Sequence, residues 1–453
     1  MSHDALSPLD GRYASEVREL ARTFSERGLM RYRLQVEVEY LIALTRERRL
    51  SGMPWISAAA SAKLRKLYTG FGAQQAARVA ALERTCDHDV KALEYFVAEE
   101  LRKLKLGKLI PFYHFALTSE DVNNIAYTLM LHSGVLVYVG HLSAIIRELS
   151  VLARRYGAVP LLAMTHGQPA TPTTVGKELA VYVARLRQQL AVLSAITYTA
   201  KFSGATGNWS AQQVAYPRVD WVAFSRRFVG LFGLQLNQLT TQIEPHDTTA
   251  QVCHALMRLN SIVKDLDVDL WLYISRGVFK LKRKPGEVGS STMPQKVNPL
   301  KFEKSEGNLG LANSLLGHLA EKLPTSRLQR DLSDSTVIRN QGVALGYAVV
   351  ALRSTRAGIA RLEVDRNACR AELAAHWEVL TEAVQTMLRK HGVADAYEQL
   401  KAMSRGQPVT KATLQQFIRT LKLPAADKRV LLRLTPATYV GLAPKLARLA
   451  SNP

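Results

Sequence analysis

Apolar side chains recur along this chain in alternating steps of four and three, over stretches far longer than a strand. Leu179, Val183, Leu186, Leu190 and Leu193 form one run, and Leu256, Leu259, Val263, Leu266 and Leu270 another. At 3.6 residues per turn such positions share one side of a helix, so each run is expected to be a buried seam. Leu142, Ile145, Leu149 and Leu152 make a third seam, and Leu345, Val349, Leu352 and Ile359 a fourth. Nothing alternates with the two-residue period of a strand over comparable length. The expected fold class is therefore all-α, built on a long central helical bundle.

The helical pattern breaks at KLGKLIPFYHF, near Leu109 to Pro111, and loop signals return in the basic final stretch at Lys422 to Pro424 and Thr435 to Tyr439. With 453 residues the chain exceeds what one core usually holds. Three parts are expected: an N-terminal helical domain (1–111), a central bundle (112–362) and a basic C-terminal helical domain (363–453). The apolar run GVALGYAVVAL meets Arg353 well short of the roughly 18 to 20 residues a membrane span needs. The opening MSHDALSPLDGRY has no basic segment followed by an apolar one. No membrane association and a cytoplasmic location are expected.

Cys86, Cys253 and Cys369 are odd in number and widely separated, without the spacing of a zinc site. Reduced thiols and no bound metal are expected. Lys and Arg number 60 against 38 Asp and Glu, a net charge of +22, and residues 401–453 carry ten basic side chains against Asp427 alone. Such an excess invites nucleic acid through phosphate neutralisation. No zinc-finger pattern or RNA-binding aromatic motif accompanies it, so specific nucleic-acid binding is not expected. A solvated basic face or the steering of anionic substrates accounts for the charge.

The densest chemistry lies in GSSTMPQKVNP, Gly289 to Pro299. Gly286 and Gly289 permit backbone angles that a Cβ resists, while Pro294 and Pro299 stiffen the C-terminal end of the loop, the pattern of a lid with a rigid end. Ser290 and Ser291 offer hydroxyls for proton exchange, and Lys296 and Asn298 suit a carboxylate. A small anionic acid is the natural ligand. No glycine-rich nucleotide loop and no HExxH site occurs.

This segment resembles the signature loop of the fumarase/aspartase superfamily, whose members eliminate fumarate from succinyl-bearing substrates. Further blocks, in order, are SPLDGRY, HDVKALEYF, HFALTSEDVNN, THGQPATPTTVGKE, TTQIEPHD, SEGNLGLAN and LQRDLSDSTVIRN. Together they are similar to the bacterial-type adenylosuccinate lyases. The resemblance implies elimination of fumarate from adenylosuccinate to give AMP, and from the succinylated aminoimidazole carboxamide ribotide by the same chemistry. It implies no cofactor, and a homotetramer whose core is the central helices and whose active sites are shared between subunits.

By the same resemblance Ser290 is the base that takes the carbon-bound proton, with Ser291 as the neighbouring alternative, and His166 is the general acid. Imidazole suits that role because its ordinary pKa of about 6.5 leaves both protonation states accessible near neutrality. The family supports its acid histidine with a glutamate from another segment; that residue stays open, with Glu178 and His141 considered. Asp87, His88, Asp89 and Lys91 surround the nucleotide. Thr118 and Ser119 take the succinyl carboxylate while also suiting a helix start. Arg12 and Tyr13, with the stretch Ser335, Thr336, Val337, Ile338 and Arg339, take the phosphate. Gln242 stands near the reacting succinyl group, Arg330 is a further contact, and Lys304 occupies a ligand-facing position. Three residues depart from the family pattern: Asp87 and Lys304 stand where asparagine is usual, and Gln295 where histidine is often found. A nucleotide-independent relative such as argininosuccinate lyase would have no reason to keep both DGRY and DSTVIRN, and a nucleic-acid-binding protein on a retired lyase scaffold is the remaining alternative.

Overall fold

The computed structural model describes residues 4–283, 286, 292–293, 295–405 and 408–449. Helices dominate, and the seams read from the sequence are where they were expected. The Leu142 to Leu152 run lies on the helix Ser119–Arg155, the Leu179 run on Val175–Ser194, the Leu256 run on Asp247–Ser275 and the Leu345 run on Gln341–Ile359. Every seam residue is buried except Leu152 and Leu190, which are half-buried. The break near Leu109 is a short 3₁₀ helix, Gly107–Phe112, with Pro111 inside it. Three two-stranded sheets interrupt the helices among the described residues. They are too short for their two-residue period to stand out in the sequence.

The chain divides into two compact units interleaved in sequence. The first comprises 1–141, 190–261 and 307–351. Its organising element is the helix Glu26–Arg46, begun by the Ser25 hydroxyl accepting from the Gly28 N–H at 3.2 Å. This helix serves two cores at once. Leu34, Val38, Leu41 and Ile42 pack with Leu93, Phe96, Val97 and Leu101. Val36, Tyr40 and Leu44, two residues out of phase, pack with Phe202, Phe224 and Phe228. Tyr40 stands edge-on to Phe202 and Phe228, with centroids 5.1 and 5.5 Å away, and its hydroxyl donates to the Phe115 carbonyl at 2.9 Å.

Within this unit the start of the helix Ser119–Arg155 is fastened by one carboxylate. Asp121 and Lys201 are both wholly buried and paired at 2.6 Å. The same Asp121 oxygen accepts the Ser203 N–H at 2.9 Å, and the other accepts the Thr118 N–H at 2.9 Å. Asn124 donates to the Lys201 carbonyl and accepts its N–H, at 2.9 and 2.8 Å. Two segments 80 residues apart are thus locked backbone to side chain. Gly207 completes the fit: its φ is +81°, and an added Cβ would lie 2.1 Å from the Thr240 carbonyl oxygen.

The second unit comprises 142–189, 262–306 and 352–453. The Tyr182 hydroxyl donates to Asp269 at 2.5 Å, and a buried polar chain links Ser305 to Thr355 at 2.7 Å and Thr355 to Asp267 at 2.9 Å. Toward the C-terminus, short helices pack Leu380, Val384, Leu388, Leu414, Ile418 and Leu431 into a separate cluster. The helix Ser119–Arg155 is long and apolar enough to cross a membrane by length and composition, because the stretch from Val122 to Ile146 carries no Asp, Glu, Lys or Arg. Half of its most apolar window is buried inside the protein, where Tyr138 donates to Asn260 at 2.8 Å.

Removing one partner from a buried ion pair leaves an uncompensated charge, at a cost of about 3–5 kcal/mol. Lys201→Met is therefore expected to lower the thermal midpoint by about 3–5 °C, whereas exposed Lys63→Met should leave it within about 1 °C. Differential scanning calorimetry of the two variants against the wild type is the check.

Candidate active site

A cleft of about 510 Å³ opens in the first unit beside this fastening. Beside Arg33, its walls come from three chain segments: His88 and Asp89, Ser119 to Tyr127, and Arg330 to Arg339. These coincide with three of the ligand-binding blocks expected from the sequence. The placement has a local cause in each case.

His88 caps the helix Asp89–Lys103, its Nδ1 accepting the Lys91 N–H at 3.2 Å. That bond consigns the ring proton to Nε2, the edge left for a ligand. Asp87, just before it, closes the preceding helix in the left-handed region with φ 51°. Asparagine and aspartate are the side chains that tolerate this conformation, so Asp87 satisfies the backbone requirement while adding a charge. Asp89 is oriented inward by the Arg33 guanidinium at 2.8 Å and touches Arg339 at 3.4 Å. Burial would raise its pKa, but the Arg33 charge and hydrogen bond hold it below the usual carboxylate range. Arg339 in turn spans Glu26 at 2.8 and 3.0 Å. The phosphate-binding candidates on the helix Ser333–Ile338 come next, with Ser335, Thr336 and Ile338 lining the cleft. Val337 lies on the same turn but does not line it.

Arg330 joins two further expected residues. Its guanidinium donates to Gln242 Oε1 at 3.2 Å and approaches Ser335 Oγ at 3.5 Å, while Gln242 donates to the Ala205 carbonyl at 3.0 Å. Thr118 sits at the mouth of the helix that Asp121 fastens, and adjacent Ser119 lines the cleft. Other expected residues of this unit lie outside the lining. Lys91 pairs with Glu94 at 2.8 Å, Arg12 is exposed, and Tyr13 packs against Leu9, Val17 and Val350.

His166 belongs to the second unit, as do Lys296, Asn298 and Lys304. His166 sits in a two-residue hairpin loop. Strands Pro160–Thr165 and Gln168–Thr174 pair antiparallel with Thr165 opposite Gln168, leaving only His166 and Gly167 between them. Both have positive φ, 53° and 71°, the signature of the turn that matches strand twist. The imidazole is exposed at the tip. Glu178 accepts from Thr173 at 2.8 Å and Lys177 at 3.0 Å, and His141 pairs with Glu19 at 2.6 Å. Lys296 and Asn298 precede the helix Leu300–Lys322, which carries Lys304. Ser290 and Ser291 lie outside the described residues.

Several side chains of the cleft had no signal in the sequence. Arg33, Asn123 and Tyr127 line it, and Arg33 Nε donates to Asn123 Oδ1 at 2.8 Å. Glu120, by sequence only an acid in the first turn of a helix, is 4% exposed and lines the cleft. Its carboxylate lies 3.6 Å from Arg330, and one side-chain atom each from Glu120, His246 and Asp334 fall within 4.8 Å of one another. His246 Nε2 has no hydrogen-bond partner. The trio has the composition of a cation site, but the positive charges of Arg330 and Lys201 already face the Glu120 carboxylate, so the group reads as ionic. Burial pushes Glu120 up to about 7 against the pull of Arg330, and burial depresses His246.

A general lyase family model matches residues 11–312, and a model of the adenylosuccinate lyase C-terminal region matches 326–440. The adenylosuccinate lyase of Haemophilus influenzae is 48% identical over 444 residues, covering 98% of this chain and 97% of that protein. This chain belongs to the adenylosuccinate lyase family. The Escherichia coli K12 family member is 47% identical, with 97% of both chains covered, and that of Dictyostelium discoideum 43%, again with 97% of each covered. Among solved structures, the fold matches a fumarate lyase from Mesorhizobium sp. BNC1 with TM-score 0.76 at 18% identity, covering 96% of this chain and 97% of that one. It also matches the 3-carboxy-cis,cis-muconate lactonizing enzyme of Pseudomonas putida, with TM-score 0.74 at 22% identity, covering 95% and 96%. The helical architecture is thus shared with these two enzymes, while the cleft residues coincide with the blocks that resemble adenylosuccinate lyases.

Glu120 gives the site a pH signature. Because the folded protein binds this proton more tightly than the unfolded chain, its stabilising effect is full below the ordinary carboxylate range and is lost as pH rises through about 7. Glu120→Gln should match the wild type in thermal midpoint near pH 4.5 and exceed it at pH 8, by an amount corresponding to about 3 kcal/mol. Parallel midpoints at both pH values would show that Glu120 ionises freely.

Proposed function

We propose that this family member cleaves adenylosuccinate to AMP and fumarate, and performs the same elimination on the succinylated aminoimidazole carboxamide ribotide. The observation that carries the proposal is identity near one half, sustained over almost the whole chain, to adenylosuccinate lyases. The chemistry asks for a base at carbon, an acid at the leaving nitrogen and a clamp for carboxylates and phosphate. Arg330, Ser335 and Arg339 suit the anionic groups, and Thr118 and Ser119 the succinyl carboxylate. His88, with Nε2–H free, suits the nucleotide edge. We assign Ser290 as the base, with Ser291 as its alternative, and His166 as the acid. Exposure of His166 on a hairpin tip supports a site completed by another chain.

A homotetramer with shared sites belongs to the same reading. Leu136, Val151, Trp271, Leu272 and Leu311 are exposed on long helices, the surface expected of a protomer awaiting partners. The three-part layout, cytoplasmic location and lack of a required cofactor belong to this proposal as well. Neither reacting proton transfer calls for redox chemistry.

Purified protein given adenylosuccinate should release AMP and fumarate in equal amounts, read as fumarate absorbance and by chromatography. Ser290→Ala and His166→Ala are expected to lower kcat at least ~10²-fold each at unchanged thermal midpoint. Turnover near that of wild type in either folded variant would remove that residue's role, and no turnover of either succinylated substrate by the wild type would remove the proposal.

A further inference from the structure

Glu120 is oddly placed for a pocket that receives anions. It lines the cleft, is 4% exposed, and among the described residues its cationic neighbour on the ligand side is Arg330, at a long 3.6 Å. The other groups facing it are Asp334 from the helix Ser333–Ile338, Lys201, Asn123 on its own helix, and His246. Lys201 is committed elsewhere: its ammonium is held by Asp121 and the Gly204 carbonyl. His246 adds no charge, because burial keeps it neutral. In the free protein, among the described residues, Arg330 is therefore the ligand-side cation that Glu120 and Asp334 share.

On the reading that the cleft takes the anionic groups of a purine nucleotide, that balance fails when ligand arrives. An incoming phosphate or carboxylate draws the guanidinium, and two buried carboxylates are left facing each other beside a new negative charge. Like charges so placed cannot both stay ionised. We propose that Glu120 takes up one proton from solvent as an anionic group of the ligand engages Arg330, so that it faces the bound nucleotide as a neutral hydrogen-bond donor. No covalent bond to carbon, nitrogen or phosphorus changes; the proton comes from water or buffer and returns on release. Glu120 is then a positioning residue that lets one small site hold an acid and its ligand together, and it makes affinity fall with rising pH.

The test is isothermal titration calorimetry at pH 8 in two buffers of different ionisation enthalpy, with AMP alone and with AMP plus succinate, an unreactive four-carbon dicarboxylate. At this pH the phosphate is fully ionised, its second pKa being about 6, and contributes no uptake of its own. Wild type should take up close to one proton more than Glu120→Gln, which presents the neutral shape permanently. A difference with AMP alone assigns the phosphate as the group on Arg330; a difference only with succinate assigns a carboxylate. Equal uptake by both proteins in both arms, with AMP bound, overturns the inference alone. Failure of wild type to bind AMP overturns the nucleotide reading and the inference with it. Should the variant not fold, the AMP dissociation constant of the wild type decides: it should weaken nearly tenfold from pH 7.5 to 8.5, and a constant value overturns the proposal.

Discussion

Asp121 is the group on which the cleft depends. One carboxylate, wholly buried, holds the Lys201 ammonium, the backbone around Ser203 and the Thr118 N–H. Placed there without Lys201 it would carry a large desolvation penalty; with Lys201 and several N–H donors the penalty is offset and the geometry becomes unique. Every ligand-facing residue from Thr118 to Tyr127 inherits its position from that anchor. The Gly204 to Gly207 turn, and through the Ala205 carbonyl the Gln242 amide, are held from the other side.

Outside that anchor the cleft is organised by cations already paired with carboxylates. Arg33 meets Asp89, Arg339 meets Asp89 and Glu26, and Arg330 meets Glu120. Such pairs hold guanidinium groups in place before a ligand arrives, so less ordering is lost on binding, but each carboxylate must be compensated when its arginine turns to phosphate. Distance separates these pairs. Arg33 to Asp89 is tight at 2.8 Å and stays structural, whereas Arg330 to Glu120 is loose at 3.6 Å, so a ligand can draw Arg330 away without breaking a short contact.

The helical seams were legible because the 3.6-residue period persists over many turns, as it does from Leu256 to Leu270. The helix Glu26–Arg46 hides the same signal: with Leu34 and Val38 facing one core and Val36 and Tyr40 another, it is apolar on opposite sides and shows no single stripe. The hairpin carrying His166 was invisible for another reason, since its strands contain Pro169 and Pro172 and its loop is only His-Gly. Of the residues the motif blocks pointed to, His88, Ser119, Arg330, Ser335 and Arg339 line one cleft. The blocks did not reveal Glu120 or His246, because an acid at a helix start and a histidine before one both have ordinary capping explanations; only burial and an unpartnered Nε2 distinguish them.

That this cleft is where the nucleotide binds is the central claim, and a crystal structure of the protein with AMP tests it most directly. The phosphate is expected against Ser335 and Arg339, with the rest of the nucleotide between His88 and Ser119 and with Asp121 still paired with Lys201. AMP seated in any other cavity, with Ser335 and Arg339 untouched, would contradict it.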